Sequence, residues 1–454
     1  MNNFDEMIKS KAKAEKIYVP SGFCERIDSI TDGMRKKNVK KSRKVPATWV
    51  AAVMLLVITP VIAFASPTII NMKEGVISYF NAPKEFRYMS KQAEYEKYNA
   101  KVGISCEDNG ITITLDNIAV DDNYINVFYT LESMDPIELR GSEDTPLKWR
   151  LRGAAPVFWY KVNGRYVEPA AQVETDVYLV NQHTMKGMQR FALLDQLSNN
   201  FKLEMYTDEV LNTQGHWHIV VNVDKSDVAV ESTTVMPNLK VTIGRDGTYT
   251  HHVTVKKVSI SPFGSQIVLS ERGDNILDNF AIKDDRGNYL PVIPAPLHIS
   301  HIFKMDNSFE FIPKSRDMKS ITLIPIITDG QSEFKYFDLK NTLPAKLPVN
   351  DSGSYVLTSV QMDDEKMVAV LRQDGPVPIS NFQVIPSDAN EKLLQSYVSH
   401  IENEYDRETG AITFTGYWAD DVTQEDLNKI AGLSYFANYD FKLNEAEAIT
   451  IKLN

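Results

Sequence analysis

No charged side chain occurs between Val45 and Met72, and Arg35, Lys36, Lys37, Lys40, Lys41, Arg43 and Lys44 crowd the segment just before. The core of the run, Ala47 to Ala65, would span roughly 28 Å as a helix, close to the hydrocarbon thickness of a bilayer. Basic residues on the N-terminal flank, Lys36, Lys37, Lys40, Lys41, Arg43 and Lys44 among them, set that side in the cytoplasm. The expectation is a single-pass protein with a short inner tail and a large outer part. Two other readings stand beside it. Ala63-Phe64-Ala65 fits a signal-peptidase site, although the 44 residues ahead of the run far exceed an ordinary leader. A buried soluble helix would show a polar face, and this run has little of one. Pro60 is compatible with a spanning helix.

Charge divides at the same place. Residues 1–46 hold 12 Lys and Arg against 6 Asp and Glu, whereas the whole chain holds 49 against 60. The remainder therefore holds 37 against 54, a net of −17. A basic tail suits an anionic inner leaflet. The acidic outer part excludes nucleic acid as its ligand. The chain's two cysteines, Cys24 and Cys106, would lie on opposite sides of the membrane and form no CxxC, so neither a disulfide framework nor a structural zinc is expected.

Beyond the run the apolar pattern alternates with period two. Ile111, Ile113 and Leu115 share one strand face, Asp121-Asp122-Asn123 forms a turn, and Tyr124 to Tyr129 returns. The unit recurs at His252 to Ile260 with Pro262-Phe263-Gly264 and Gln266 to Leu269. It recurs again at Tyr355 to Met362 with Asp363-Asp364-Glu365 and Met367 to Leu371. Each is followed by a second strand and turn: Val157 to Lys161 with Asn163-Gly164, Phe280 to Lys283 with Asp285 to Asn288, and Phe382 to Ile385 with Pro386-Ser387-Asp388. Asn-Gly is a hairpin signal because both residues tolerate positive φ.

The fold expected is mainly β. A short cytoplasmic helix in a basic tail (1–45) and one transmembrane helix (46–66) lead to a helical juxtamembrane segment (67–100). About three sandwich-like, immunoglobulin-like domains follow at 101–235, 236–345 and 346–454, divided at Val235 to Asn238 and at Leu343 to Pro348. Asn390 to Tyr405 has helical composition, and Thr423-Gln424-Glu425-Asp426 resembles a capping box with Asp in the Glu position.

The chain has no Walker A loop, dinucleotide fingerprint, GxSxG elbow, HExxH or EF-hand loop. No catalytic residue, cofactor or metal is expected, and the protein is not expected to be an enzyme. His216-Trp217-His218 places two imidazoles on one strand face, without a third ligand at suitable spacing. Asp121-Asp122, Asp284-Asp285, Asp363-Asp364-Glu365 and Asp420-Asp421 fall mostly where strands turn, which alone accounts for Asp. Trp149, Trp159, Trp217 and Trp418 could form a sugar platform or fill cores.

In the tail, Phe23, Ile27, Ile30 and Met34 make one apolar stripe on a short helix that Ser21 can cap. So small a tail cannot bury the stripe internally, so it needs either a partner or the membrane surface. The stretch Ile17 to Ile27, the basic flank, the span, and Asn109 to Ile113 through Asp121 to Tyr129 together resemble a family of Gram-positive single-pass membrane proteins. That family carries a domain of unknown function, and its members are often described as anti-sigma factors. The resemblance implies an extracytoplasmic-function sigma factor at the inner tail and an unidentified cell-envelope ligand outside. The His-x3-Cys-x2-Cys zinc signature of the best-known anti-sigma class is absent. The reading is a membrane-anchored envelope sensor or anti-sigma-like regulator; the alternative is an extracellular binding or structural protein with no sigma-factor partner.

Overall fold

A computed structural model describes residues 69–453, apart from 83–90, 143–144, 168–171, 246–248, 273–279, 294–297, 302–303, 328–332, 379–381 and 438–440. The tail helix bearing Phe23, Ile27, Ile30 and Met34, the flanking lysines and arginines, and the 46–66 run lie outside the described residues. Among those described, strands dominate and no helix is long and apolar enough to cross a membrane.

The strands form three pairs of sheets, each pair closed over its own apolar cluster. In the first, Ala100–Asp108, Ile111–Val120, Tyr124–Ser133, Thr184–Ala192 and Gln172–Asn181 lie side by side and antiparallel. Its companion sheet runs Thr213–Asp224, Asn200–Val210, Trp159–Val162, Arg165–Val167, with Ile69–Asn71 added in parallel at the edge. Ile113, Leu115, Phe128 and Met188 from one sheet meet Leu203, Met205, Trp217 and Ile219 from the other.

The second pair sets Leu239–Arg245, Tyr249–Ser261, Gly264–Arg272, Lys304–Phe311 and His298–His301 against Tyr289–Leu290, Phe280–Asp284 and Ser320–Ile327. The third sets Ala345–Pro348, Ser354–Met362, Lys366–Asp374, Ala411–Trp418 and Val398–Tyr405 against Glu333–Asp338, Ile430–Ala437 and Val384–Asp388. Connectivity is alike in the three. The chain runs through three strands of one sheet (four in the second pair), crosses to the companion sheet, returns for two strands (three in the second pair) and crosses again.

A shared irregularity strengthens that likeness. Leu115 pairs with Tyr129, Val255 with Leu269 and Leu357 with Leu371, each pair fourteen residues apart. Immediately after each, the register skips one residue: Asp116, Lys256 or Thr358. Such a bulge turns the strand and shifts its alternation by one. The buried positions accordingly run Ile111, Ile113, Leu115 and then Ile118, Val120; likewise Val253, Val255 and then Val258, Ile260.

Local turn chemistry follows the residues. Asn163 (φ 50°) and Gly164 (φ 77°) close the hairpin between Trp159–Val162 and Arg165–Val167. Thr423 accepts from the Asp426 N–H while the Asp426 carboxylate accepts from the Thr423 N–H, a complete capping box. Thr423→Ala is expected to cost about 0.5–1 kcal/mol, read as a lower urea midpoint at unchanged slope.

Four expectations are corrected. Of residues 67–100, the described ones are only partly helical. Ile69–Asn71 is a strand, Ile77, Tyr79 and Phe80 are buried in the first core, and the only α-helix described there is Gln92–Lys97. Core burial of the aromatic residues outweighs local helix preference. Within Asn390 to Tyr405, Val398–Tyr405 is a strand, because the Ala411–Trp418 edge supplies backbone partners that an isolated helix would lack. Pro386-Ser387-Asp388 continues the strand Val384–Asp388 rather than turning. Two segments also change neighbours: Glu333–Asp338 pairs within the third set of sheets, and Ile449–Lys452 returns to pair with Ser320–Leu323 of the second.

Candidate functional site: an aromatic sheet face on a locked scaffold

The turn between Ile111–Val120 and Tyr124–Ser133 docks on the turn between Tyr249–Ser261 and Gly264–Arg272. Asp121 Oδ1 accepts from the N–H groups of Asn123 (2.7 Å) and Tyr124 (2.8 Å), shaping its own turn. Its Oδ2 accepts from the Phe263 N–H at 2.8 Å, across to the second pair. Asn123 Nδ2 donates to the Gly264 carbonyl at 2.7 Å. Lys257 Nζ donates to the carbonyls of Asp122 (2.7 Å) and Leu193 (2.8 Å), while Lys225 and Thr234 hold the Asp122 carboxylate. Tyr95 stacks on Phe263 with centroids 4.7 Å apart.

Arg190, fully buried, gives Glu310 two bonds of 2.8 and 2.9 Å, gives the Phe263 carbonyl one of 2.9 Å, and lies 3.4 Å over the Tyr124 ring. Arg407, from the turn after Val398–Tyr405, donates to Glu310 at 3.0 Å and pairs with Glu174 at 3.1 Å. All three sheet pairs therefore contribute to one buried network. An added Cβ at Gly264 would sit 2.5 Å from Glu310 and 2.7 Å from Arg190, so a side chain there would have to push that ion pair aside.

Burial alone would raise the Glu310 carboxyl; the Arg190 and Arg407 guanidiniums outweigh it and bring it down to about 2. Burial raises Asp121 to about 6 despite its three N–H donors, and raises Asp176 to about 6 despite the Tyr79 hydroxyl. The signs oppose. Glu310, lowered in the fold, stabilises above its ordinary value near 4.5 and loses that contribution as pH falls toward 2. Asp121 and Asp176, raised in the fold, gain stability as pH falls from about 6 toward their ordinary value near 3.8. Urea midpoints are expected to hold or rise between pH 6 and 4.5 and to drop below that. Glu310→Gln should flatten the acid limb.

The candidate binding surface lies on the outer side of the first pair's companion sheet, the one that holds Trp159–Val162. Trp159 pairs with Tyr206, Tyr206 with His218, and Lys161 with both Tyr166 and Glu204. Strand alternation sends these side chains outward while Tyr160, Met205 and Trp217 point into the core. Trp159 is 38% and Tyr166 62% exposed, whereas Trp217 is 1% exposed and donates its indole N–H to the Ile111 carbonyl at 2.8 Å.

The Tyr166 and Tyr206 rings meet edge to face at 6.3 Å, and those of Tyr206 and His218 at 6.2 Å. Lys161 Nζ sits 4.6 Å over Tyr166 and 5.2 Å over Tyr206. A bond between the tyrosine hydroxyls, with Lys161, lowers Tyr166; burial and the same bond push Tyr206 up to about 12. Lys202 and His218 both approach Glu204, at 2.9 and 3.4 Å.

The residues singled out from the sequence separate clearly. His216 and His218 share a face as expected, but each turns to a carboxylate, Asp208 for the first and Glu204 for the second. Among the described residues no group of three His, Cys, Asp or Glu side chains could hold a metal ion. Trp217 and Trp418 are buried, and Trp149 packs its ring 5.7 Å from that of His400. Trp159 alone of the four joins an aromatic row on a sheet face. Tyr166 and Tyr206 carried no motif; their signal was alternation with charged neighbours. Asp284 and Asp363 are turn residues accepting from nearby N–H groups, as Asp in a turn does. Asp121 and Asp122 are turn residues too, but buried ones at an interface.

Comparison with known proteins gives two family matches. No curated protein matches the chain. Among solved structures, a conserved domain protein from Bacillus anthracis is 15% identical, with 57% of this chain and 89% of that one covered at a TM-score of 0.38. The N-terminal eight immunoglobulin domains of Down Syndrome Cell Adhesion Molecule are 7% identical, with 77% and 47% covered at a TM-score of 0.13. Residues 40–133 match a domain of unknown function (DUF4179), and residues 232–351 match a family of unknown function (DUF5643).

Proposed function

We propose that this is a membrane-anchored, non-enzymatic envelope protein whose β-rich region lies outside the cell and binds a surface ligand. The single observation that carries the reading is the row of Trp159, Tyr166, Tyr206 and His218 on one outward sheet face, Tyr206 half-buried among its exposed neighbours. Large rigid aromatic side chains lose little entropy on binding and are costly to leave in water. The charge-free run with its basic flank supports the anchor, and the strand Ile69–Asn71 begins only four residues beyond Ala65. We read the three sheet pairs as immunoglobulin-like sandwiches in series, a reading supported by their common connectivity and bulge position. Labelling of a Val76→Cys variant in intact cells tests the topology, since Val76 is 78% exposed. A membrane-impermeant maleimide is expected to reach it without lysis; labelling only after lysis contradicts the proposed orientation.

A regulatory role is the second reading, favoured by the Phe23, Ile27, Ile30 and Met34 stripe. In it the inner helix holds a sigma factor until an event outside changes or removes the tether. Capture of a sigma factor by the full chain, lost on Phe23→Asp with Ile27→Asp, is the result expected. Equal recovery by both forms removes this reading and leaves the outer one intact.

A further inference from the structure

From the aromatic face we infer a ligand class: a neutral polysaccharide whose pyranose rings lie against the Trp159, Tyr206 and Tyr166 side chains. The inference rests on the reading of this face as the surface-binding site. Its first support is shape. Three neighbouring strands carry Trp159, Tyr206 and His218 in a row that spans about 10 Å, the distance of two strand spacings. An open sheet face, unlike a closed pocket, suits a polymer and not a small metabolite.

The second support is chemistry. A sugar ring has one apolar C–H face and a rim of hydroxyls, so it needs aromatic faces edged by polar groups. Lys161, Glu204 and His218 supply that edge, interleaved with the rings. The third support is charge. Lys161 and Lys202 stand against Glu204 and Asp208, so acids and bases on the face balance one another. A polyanion would gain little here and would meet the outer region's net charge of −17. Trp159 and Tyr206 belong to adjacent paired strands, so the platform is in place before the ligand arrives.

The test uses the full chain in lipid nanodiscs, run by native affinity electrophoresis through gels holding amylose, hydroxyethyl cellulose, mannan or, as the polyanion, polygalacturonate. At least one neutral polymer is expected to retard the chain, with little dependence on salt. Trp159→Ala combined with Tyr206→Ala should weaken the interaction about tenfold or more, since two aromatic contacts are lost together. Tyr206→Phe, which keeps the ring, should retain most of it, and matched thermal melts verify that the variants fold. Retardation by polygalacturonate alone, by none of the polymers, or equally in the double alanine variant overturns the inference. Sedimentation with native cell envelopes separates the two levels. If the double variant fails to sediment there while no neutral polymer binds the parent, the ligand class is wrong and the face stands. If both forms sediment equally, the reading of the face itself fails.

Discussion

Glu310→Ala is expected to destabilise the full chain by about 3–5 kcal/mol, the cost of breaking a buried ion pair from one side. The substitution leaves Arg190, with no exposed surface, holding a guanidinium that has lost both carboxylate bonds. It also removes an acceptor of Arg407. The size of the effect comes from the stranded charges rather than from the attraction lost. Asp317→Asn is the contrast: its bond to Arg286 is also 3.0 Å, but the two side chains are 71% and 52% exposed. A far smaller cost is expected there, because water and salt replace the pair. Urea denaturation of the three proteins side by side checks both expectations. A Glu310→Ala cost no larger than that of Asp317→Asn would mean the junction does not hold the sheet pairs together.

Trp217→Ala should cost a similar amount, about 3–5 kcal/mol, through the cavity it opens between the first two sheets. It would also strip the Ile111 carbonyl of its indole donor. Trp159→Ala, on the same sheet but facing out, is expected to stay within about 1 kcal/mol of the parent. Tryptophan fluorescence during unfolding reads both. The comparison matters for function, since a face residue must be removable without loss of the fold. A large cost at Trp159 would make it a structural residue and weaken its assignment to binding.

These residues also show what was legible before the structure. The three principal hairpins could be read because each alternates cleanly, and even the bulges are written as a phase slip, from Ile113 and Leu115 to Ile118 and Val120. The Asn163-Gly164 turn and the Thr423 capping box are local chemistry and needed no tertiary information. Non-local pairing was not legible. Nothing within Ile449–Lys452 says that its partner is Ser320–Leu323, more than a hundred residues earlier. Val398–Tyr405 follows a stretch rich in helix formers, and only the neighbouring strand decides its state. Residue type did not separate Trp217 from Trp159 either: which face of a strand is wet depends on the sheet laid against the other side. For Asp121 and Asp122 the turn was readable, whereas burial depended on a second turn docking on the first.

The central claim is that the outer aromatic face engages the cell surface. The measurement that tests it most directly is sedimentation of the full chain, in nanodiscs, with purified native cell envelopes, comparing the parent with the Trp159→Ala, Tyr206→Ala double variant at matched thermal stability. The account predicts that the parent sediments and the double variant stays in solution. Equal sedimentation of the two would contradict it and place the binding surface, if the chain has one, elsewhere.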